Sequence, residues 1–355
     1  MRPVAETRGT VLVALGANLV VAVAKGAGGL VSGSAALLSE AAHSVADTLN
    51  EVFLLLSLRT AERPPDRTHP FGYGKERFFW SLIAAVGIFV SGAGYSLYEG
   101  LKAVSGTGEA TSTRQFVVVY VVLLFSLVAE GASLRTALRQ VKQEATEAGR
   151  SPLAFVRRSP DPTVKTVASE DTVAVVGVVV AQVGTALHQV TGSQVWDGVA
   201  SLVIAALLAY VAFVLGRDTK ELLIGESADP SVRLTAYALL RERPEVVAVK
   251  EILTMQLGPT SVLVAVRLQF EESLTGGEVM DLCTALDEAM RERVPSVTQV
   301  FLDPSRVSEQ DEEALHERAQ VTAQEMASLD GEQAVRDLRS RTARRARDNE
   351  RRRAS

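Results

Sequence analysis

The chain has 355 residues, 47% of them hydrophobic, and its mean hydropathy is +0.16. Soluble globular chains of this length rarely average above zero, so the composition indicates a membrane domain joined to soluble parts. A net charge of −5 argues against nucleic-acid binding through overall charge. One cysteine excludes an internal disulfide framework and a cysteine-based structural zinc site, so with only four histidines any metal chemistry depends largely on carboxylates.

Six apolar segments before residue 220 are long enough to cross a bilayer, which takes about 20 mostly apolar residues. They cover residues 9–31, 34–58, 78–100, 115–137, 166–190 and 196–216. The first segment resembles a signal peptide, but the spans that follow favour an uncleaved first helix. The sequence therefore predicts a membrane α-helical domain of six transmembrane helices over residues 1–220.

Loops rich in basic residues alternate along the chain with loops that have few or none. Residues 59–77 and 135–165 are rich in Arg and Lys, whereas the loops near 31–34 and 191–195 have none. Because basic loops stay in the cytoplasm, both termini are expected there. Only seven of the 37 basic residues are Lys, and this bias with heavy Ala and Val use is typical of a GC-rich bacterial genome. The expected location is a bacterial inner membrane.

The pattern changes after the sixth span. Residues 226–304 alternate helix and strand signals in the order αββαβ, with a Gly-Pro-Thr turn at 258–260. This order predicts a small cytoplasmic α+β domain of metallochaperone-like type, near the lower size limit for one core, which dimerisation would support. Residues 305–355 are acidic and then Arg-rich, and predict a charged helical or disordered tail. A solvated tail is the simpler interpretation; contact with anionic lipid or nucleic acid is the alternative.

The second span carries a polar stripe. Glu40, His43, Asp47 and Asn50 are spaced 3, 4 and 3 residues apart, which places them on one face of a helix. Ionisable groups inside a bilayer are costly and usually face a cavity or a partner. Imidazole with carboxylate suits Zn²⁺ and similar ions better than Ca²⁺ or Mg²⁺. The stripe therefore predicts an ion site, with an internal salt bridge or hydrogen-bonded helix contact as the alternative.

Three further acids lie in other spans. Glu170 and Asp171 are adjacent and cannot face the same way, so one can enter the bundle while the other caps a helix start. Capping by both is the simpler alternative. Glu130, late in the fourth span, is either an interfacial acid or a supporting carboxylate and proton carrier.

The loop between the second and third spans contains Asp66 and His69, three residues apart. The two side chains can converge on a metal in a turn, although a polar loop without bound metal is the simpler interpretation.

Two motifs in order carry a family resemblance: residues 32–47 (SGSAALLSEAAHSVAD) and 66–75 (DRTHPFGYGK). With the six spans and the small α+β domain, they resemble the cation diffusion facilitator family over residues 9–304. Residues 169–177 (SEDTVAVVG) and 223–226 (LIGE) are most similar to its zinc transporter nine-like branch.

This resemblance implies a homodimeric antiporter that exports a divalent cation, with zinc favoured, in exchange for protons and with no bound cofactor. Family members use two ligands four residues apart on the second span and two on the fifth. His43 and Asp47 match the second-span pair. On the fifth span Asp171 is followed four residues later by Val175, so one acid is carried over, Asp171 rather than Glu170. Glu40 and Glu130 are the candidates for the remaining ligand.

The resemblance also implies a loop site. Asp66 and His69 match it, but Tyr73 stands where some members carry a second histidine. No histidine occurs between residues 226 and 304, so a His-rich cytoplasmic metal site is not expected.

Two other functions stay open at this point. One is export of Mn²⁺, Fe²⁺ or Co²⁺ by a member of the same family; the other is a non-transporting, metal-responsive membrane scaffold. An enzyme is not expected, because the sequence contains no clear nucleophile–base pair or phosphate-binding glycine motif.

Overall fold

The computed structural model describes residues 8–61, 63–106, 112–147, 149, 151–158 and 162–306. The predicted charged tail lies outside the described residues from position 307 onward. The chain divides into two compact units. The first extends to Glu226 and includes Leu257–Thr260, and the second begins at Ser227.

The first unit is helical. Its elements are α1 (Arg8–Ser32), α2 (Ala35–Ala61), α3 (Glu76–Gly87), a π-helical segment (Ile88–Gly94), α4 (Tyr95–Val104), α5 (Thr113–Glu147), α6 (Pro152–Arg158), α7 (Pro162–Thr191) and α8 (Val195–Ile224). Several helices exceed the predicted spans: α5 continues ten residues past 137, and α8 eight residues past 216. Helical propensity continues past the apolar run, because apolarity and helicity are separate properties of a segment.

Within the described residues, four helices are long and apolar enough to cross a membrane. They are Glu76–Val104, Thr113–Glu147, Ser169–Thr191 and Val195–Ile224. Asn18–Ser32 of α1 is apolar but shorter than these four helices, and α2 carries the polar stripe. The first unit is thus a helical membrane domain with four clear apolar helices, and α1 and α2 occupy the remaining two predicted spans.

Short turns join successive helices at two places. Gly33 and Gly192 both adopt left-handed backbone conformations, with φ of 68° and 69°. Each glycine N–H donates 2.8 Å to the carbonyl four residues earlier, Gly29 and His188 respectively. Glycine adopts this conformation without a Cβ clash, so α1–α2 and α7–α8 become tight antiparallel pairs.

The third span is interrupted by the π-helical segment. Its Gly92 lies against neighbouring helices: a Cβ there would come within 3.2 Å of Leu208 and 3.8 Å of Ala46. The extra residue of a π turn changes which side chains face the bundle, and such turns are frequent at functional sites.

The membrane domain has a core of small and branched residues. Its fully buried members include Leu37, Ile88, Leu123, Ile204 and Leu208. Large apolar side chains such as Val128, Val190 and Phe213 are instead 67%, 85% and 68% exposed. An exposed apolar surface of this extent is what a lipid-facing bundle presents.

The second unit contains α9 (Pro230–Arg241), β1 (Val246–Gly258), β2 (Ser261–Phe270), α10 (Gly276–Arg293) and β3 (Val297–Pro304). The three strands form one sheet in the order β1-β2-β3, and β2 pairs in parallel with β3. A parallel neighbour requires a crossover, which α10 provides. Val262 pairs with Val297, and a register irregularity precedes the pairing of Leu263 with Gln299.

Local chemistry defines the helix starts of this unit. The Asp229 carboxylate accepts from the Ser231 N–H ahead of Pro230, and Thr275 with Glu278 forms a reciprocal capping box. The hydrogen bond from the Thr275 N–H holds the pKa of Glu278 below its usual range. Alternate residues of β2 then face a core completed by α9 and α10.

Candidate ion site in the membrane domain

The polar stripe lies on α2, which begins directly after the Gly33 turn. The Ser34 hydroxyl accepts from the Leu37 N–H at 3.2 Å and caps the helix start. From this start, Glu40 and His43 are buried, while Asp47 and Asn50 are partly buried. The Nδ1 of His43 lies 3.5 Å from Oδ1 of Asp47 one turn later.

Several nitrogen and oxygen atoms on this face, all potential metal ligands, are buried without a hydrogen-bond partner among the described residues. They are both ring nitrogens of His43 and Oδ1 of Asp47. Buried polar atoms nearly always have a partner, so this cluster of orphans requires an explanation. Imidazole nitrogen and carboxylate oxygen are also the atoms through which proteins bind Zn²⁺.

The two acids of α7 both make hydrogen bonds to neighbouring helices, Glu170 in a partly buried contact and Asp171 in an exposed one. Oε2 of Glu170 accepts from Asn50 Nδ2 on α2 at 2.7 Å, and Oδ2 of Asp171 accepts from Ser133 Oγ on α5 at 3.1 Å. The predicted capping role is wrong, because α7 begins at Pro162, two turns before these acids. Four residues after Glu170, the apolar Ala174 is buried and offers no ligand.

A second ionic cluster lies beside the stripe. Lys25 of α1 is fully buried, and its Nζ donates 2.8 Å to Oε2 of Glu40 and also to Oε1 of Glu130 on α5. Glu130 lies in the middle of α5 rather than near its end, with a side chain 12% exposed. We call Lys25, Glu40 and Glu130 the lysine cluster.

The lysine cluster is not among the sites predicted from the sequence. A single lysine in an otherwise apolar helix is a usable signal, because such a charge needs an acidic partner inside the bilayer. The sequence does not reveal which of the buried acids is that partner, since α1, α2 and α5 meet only in the folded bundle.

One glycine makes room for Glu40. A Cβ at Gly177 of α7 would lie 2.3 Å from Oε1 of Glu40, far inside van der Waals contact. The Glu40 carboxylate therefore lies between the Lys25 ammonium and the bare backbone of α7. This contact holds α2 close to the helix that carries Glu170 and Asp171.

The predicted ligands do not converge fully in this conformation. No group of three or more His, Cys, Asp or Glu side chains in the described part of the chain is close enough to hold a metal ion. His43 nevertheless lies within electrostatic range of Asp171, Glu40 and Glu130. The predicted ligands of α2, α5 and α7 therefore lie near one another without forming a closed set of ligands.

The loop residues Asp66 and His69 lie apart from the stripe in a hydrogen-bonded turn. Oδ1 of Asp66 accepts from the N–H groups of Thr68 and His69, and Oδ2 accepts from the Tyr73 hydroxyl at 2.7 Å. The Tyr73 hydrogen bond, with those backbone bonds, lowers the pKa of Asp66. His69 and Asp66 are about half exposed, with 3.8 Å between Nδ1 and Oδ1. Both carboxylate oxygens are thus already occupied in the turn.

The opposite end of α2 contains a further buried polar contact. Asp197, in the first turn of α8 and 2% exposed, accepts from Ser34 Oγ at 2.6 Å and from Thr185 Oγ1 at 3.3 Å. The network joins the start of α2 to α7 and α8, so it positions the helix that carries the stripe.

Comparison with known proteins identifies the family of the membrane domain. The cation efflux transmembrane domain model matches residues 11–224. The human mitochondrial proton-coupled zinc antiporter SLC30A9 is 32% identical over 274 residues, 76% of this chain and 48% of its own length. Metal tolerance protein C4 of Arabidopsis thaliana is 34% identical over 230 residues, 65% of this chain and 50% of that protein. The manganese efflux system protein MneP of Bacillus subtilis is 24% identical over 302 residues, 83% of this chain and 95% of its own.

The chain spans about half the length of the human and Arabidopsis relatives. The family model covers more than half of the chain, and the family's members are divalent cation transporters rather than enzymes. This multi-pass membrane protein therefore belongs to the cation diffusion facilitator family, close to the branch of the mitochondrial zinc antiporter.

Proposed function

We propose that this protein exports Zn²⁺ across the membrane in exchange for protons, with His43 and Asp47 as the first two ligands. The observation that carries the proposal is the buried face of α2, where both nitrogens of His43 and Oδ1 of Asp47 have no hydrogen-bond partner among the described residues. A neutral imidazole and a carboxylate one turn apart form half of a tetrahedral zinc site.

The other ligands would come from α7. Asp171, with Glu170 as the alternative, supplies oxygen once α7 approaches α2. Asn50 and Ser133 hold these carboxylates at 2.7 and 3.1 Å in the present conformation, and exchange of those hydrogen bonds for a cation would couple binding to helix movement.

Protons compete with the metal at this site. A metal-bound histidine must be neutral, so protonation of His43 and metal binding exclude each other. An unperturbed imidazole titrates near neutral pH, within the range that a membrane pH gradient spans. Proton entry from the outer side would therefore release the cation there, and the name of the human relative as a proton-coupled zinc antiporter supports the same coupling.

The wider arrangement is part of the proposal. Residues 1–220 form six spans with both termini in the cytoplasm of a bacterial cell, and residues 226–304 form the cytoplasmic domain of a homodimer. The alternating basic loops support this orientation.

The test is cation flux into proteoliposomes that contain the purified full chain and an imposed pH gradient. We expect gradient-dependent Zn²⁺ flux that Asp47→Asn reduces by about 100-fold or more, because loss of a ligand weakens the site. Glu99→Gln is the matched control: Glu99 is also a buried membrane carboxylate, 5% exposed, but it lies on α4 and pairs with Lys102. Zn²⁺ flux that does not depend on the pH gradient would refute the antiport step. The absence of cation flux in proteoliposomes that contain folded protein would favour the scaffold function.

Manganese export is the second candidate. Carboxylates outnumber imidazole around the site, and oxygen-rich sites suit Mn²⁺. The manganese efflux relative from Bacillus subtilis covers most of this chain. Flux of Mn²⁺ in preference to Zn²⁺ in the same proteoliposomes would establish this alternative.

A further inference from the structure

We propose that Lys25 is a specificity-determining residue that withdraws Glu40 and Glu130 from the ligand set of the transported cation. The inference rests on the proposed transport function and adds to it, because it assigns two of the five candidate acidic ligands in the membrane domain, Glu40 and Glu130, to a permanent internal cation. The remaining acids and His43 then form the site for the transported ion.

Lys25 is placed between the two acids by the packing of α1 against α2 and α5. The Lys25 ammonium lies between α2 and α5, bonded to one oxygen of Glu40 at 2.8 Å and to one of Glu130. The Lys25 and Glu40 side chains are both 0% exposed, and Glu130 is 12% exposed. The Lys25 ammonium therefore already occupies the position between two acids where a mobile cation would be attracted most strongly.

Each acid of the lysine cluster also has a second carboxylate oxygen that Lys25 does not bind. Oε1 of Glu40 and Oε2 of Glu130 have no hydrogen-bond partner among the described residues. Oε1 of Glu40 is nevertheless covered on one side by Gly177, whose absent Cβ would lie 2.3 Å away. Any divalent ion that reached these oxygens would also be close to the Lys25 charge, and like charges repel strongly where water is excluded.

Glu40 and Glu130 would change the chemical type of the ligands around His43. Glu40 precedes His43 by three residues on α2, so both lie on the same face within one turn. With Lys25 removed, Glu40 and Glu130 become two additional hard oxygen ligands beside His43. Oxygen-rich sites favour Mn²⁺, whereas a site that combines imidazole with few carboxylates favours Zn²⁺. Lys25 thus keeps two carboxylates out of the site and limits its acidic ligands to Asp47, Asp171 and Glu170.

The experiment compares initial Zn²⁺ and Mn²⁺ flux in proteoliposomes of the full chain. Lys25→Met frees both acids, and we expect the Mn²⁺/Zn²⁺ rate ratio to rise on the order of tenfold, equivalent to about 1.4 kcal/mol of differential binding. Lys25→Arg keeps the internal cation and should keep the wild-type ratio, which a purely steric role for the side chain would not predict.

The triple variant Lys25→Met with Glu40→Gln and Glu130→Gln decides the question even when Lys25→Met alone does not fold, since it removes the whole cluster without leaving an unpaired charge. We expect it to carry Zn²⁺ with a ratio within about twofold of wild type, because none of the three residues binds the cargo. Loss of Zn²⁺ flux in triple-variant protein that elutes as a folded species would overturn the inference, as would an unchanged ratio in folded Lys25→Met.

The failure of the proposed function is a separate outcome. If the wild-type chain carries neither cation, transport itself fails. If the wild type carries Zn²⁺ and the triple variant does not, only the assignment of Lys25 fails, and Glu40 or Glu130 is a ligand after all.

Discussion

Buried charge defines the membrane domain at the scale of single residues. An ionised side chain at the bilayer centre costs roughly 2.5–3.5 kcal/mol on insertion scales. Lys25 offsets this cost through two acids, and Glu170 and Asp171 do so through Asn50 and Ser133. His43 does not have such a hydrogen-bonded partner within the described part of the chain. This difference separates the residues that stabilise the bundle from the residue most ready to bind a ligand.

Gly177 gives a residue-scale prediction. Gly177→Ala places a methyl group 2.3 Å from Oε1 of Glu40, so the Glu40 carboxylate must move away from α7. We expect the substitution to destabilise the detergent-solubilised protein by about 1–3 kcal/mol, the usual cost of overpacking. The thermal unfolding temperature in detergent measures this change.

Gly26→Ala provides the matched comparison. Gly26 is also inside a helix, on α1 beside Lys25, and a Cβ there meets nothing within 4 Å. Alanine favours the helix by up to about 1 kcal/mol relative to glycine, so this variant should be as stable as wild type or more so. Equal behaviour of the two alanine variants would contradict the close contact at Gly177.

At the scale of elements, three helices meet through Asp197. The Asp197 carboxylate bonds the Ser34 hydroxyl at the start of α2 and the Thr185 hydroxyl of α7, while Asp197 itself opens α8. A buried carboxylate is costly unless its oxygens are hydrogen-bonded, so the three helix ends are held together here. The contact fixes where α2 begins and therefore where its polar stripe lies.

We expect Ser34→Ala to destabilise the protein by about 1–3 kcal/mol, because it leaves a buried oxygen of Asp197 with one partner fewer. The substitution also removes the side-chain cap of α2. Thermal unfolding in detergent measures the loss. Ser105→Ala is the control, since Ser105 is exposed and its hydroxyl donates to the Lys102 carbonyl of its own helix. An unfolding temperature as high for Ser34→Ala as for the control would show that the Asp197 contact contributes little.

At the scale of the whole molecule, charge is distributed unequally between connecting loops. Residues 59–77 contain five basic residues, and residues 101–114 contain two. A basic loop is retained on the cytoplasmic side during insertion. The first of these loops should therefore lie in the cytoplasm and the second outside.

Single cysteines test this orientation in a Cys283→Ser background, which removes the only native thiol. Thr68 and Ser105 are both exposed positions, one in each loop. We expect a membrane-impermeant maleimide to label Ser105→Cys on intact bacterial cells, and Thr68→Cys only after permeabilisation. Labelling of Thr68→Cys on intact cells would show that the topology is the reverse of the one expected. The cysteine-free background measures nonspecific reaction.

Much of the element order could be predicted from the amino-acid pattern. Each long apolar run lies within a helix, and strand-like alternation at 261–270 coincides with β2. Helix ends were less predictable. The helices α5 and α8 continue into polar residues, because the backbone hydrogen bonds of a helix do not end where its apolar segment ends. The error over Glu170 and Asp171 has the same origin, since the predicted span begins at residue 166, close to these acids, whereas α7 starts at Pro162.

The amino-acid sequence by itself determined that the protein is a helical membrane protein and that α2 carries a polar stripe. These properties depend on composition and on spacing within one segment, which the 3.6-residue period of a helix translates directly into a shared face. Only the tertiary structure decided which acids Lys25 neutralises and which donor atoms of His43 and Asp47 lack partners. The physical reason is that Coulomb and hydrogen-bond partners are chosen by distance in space, and α1, α2, α5 and α7 come together only when the bundle packs.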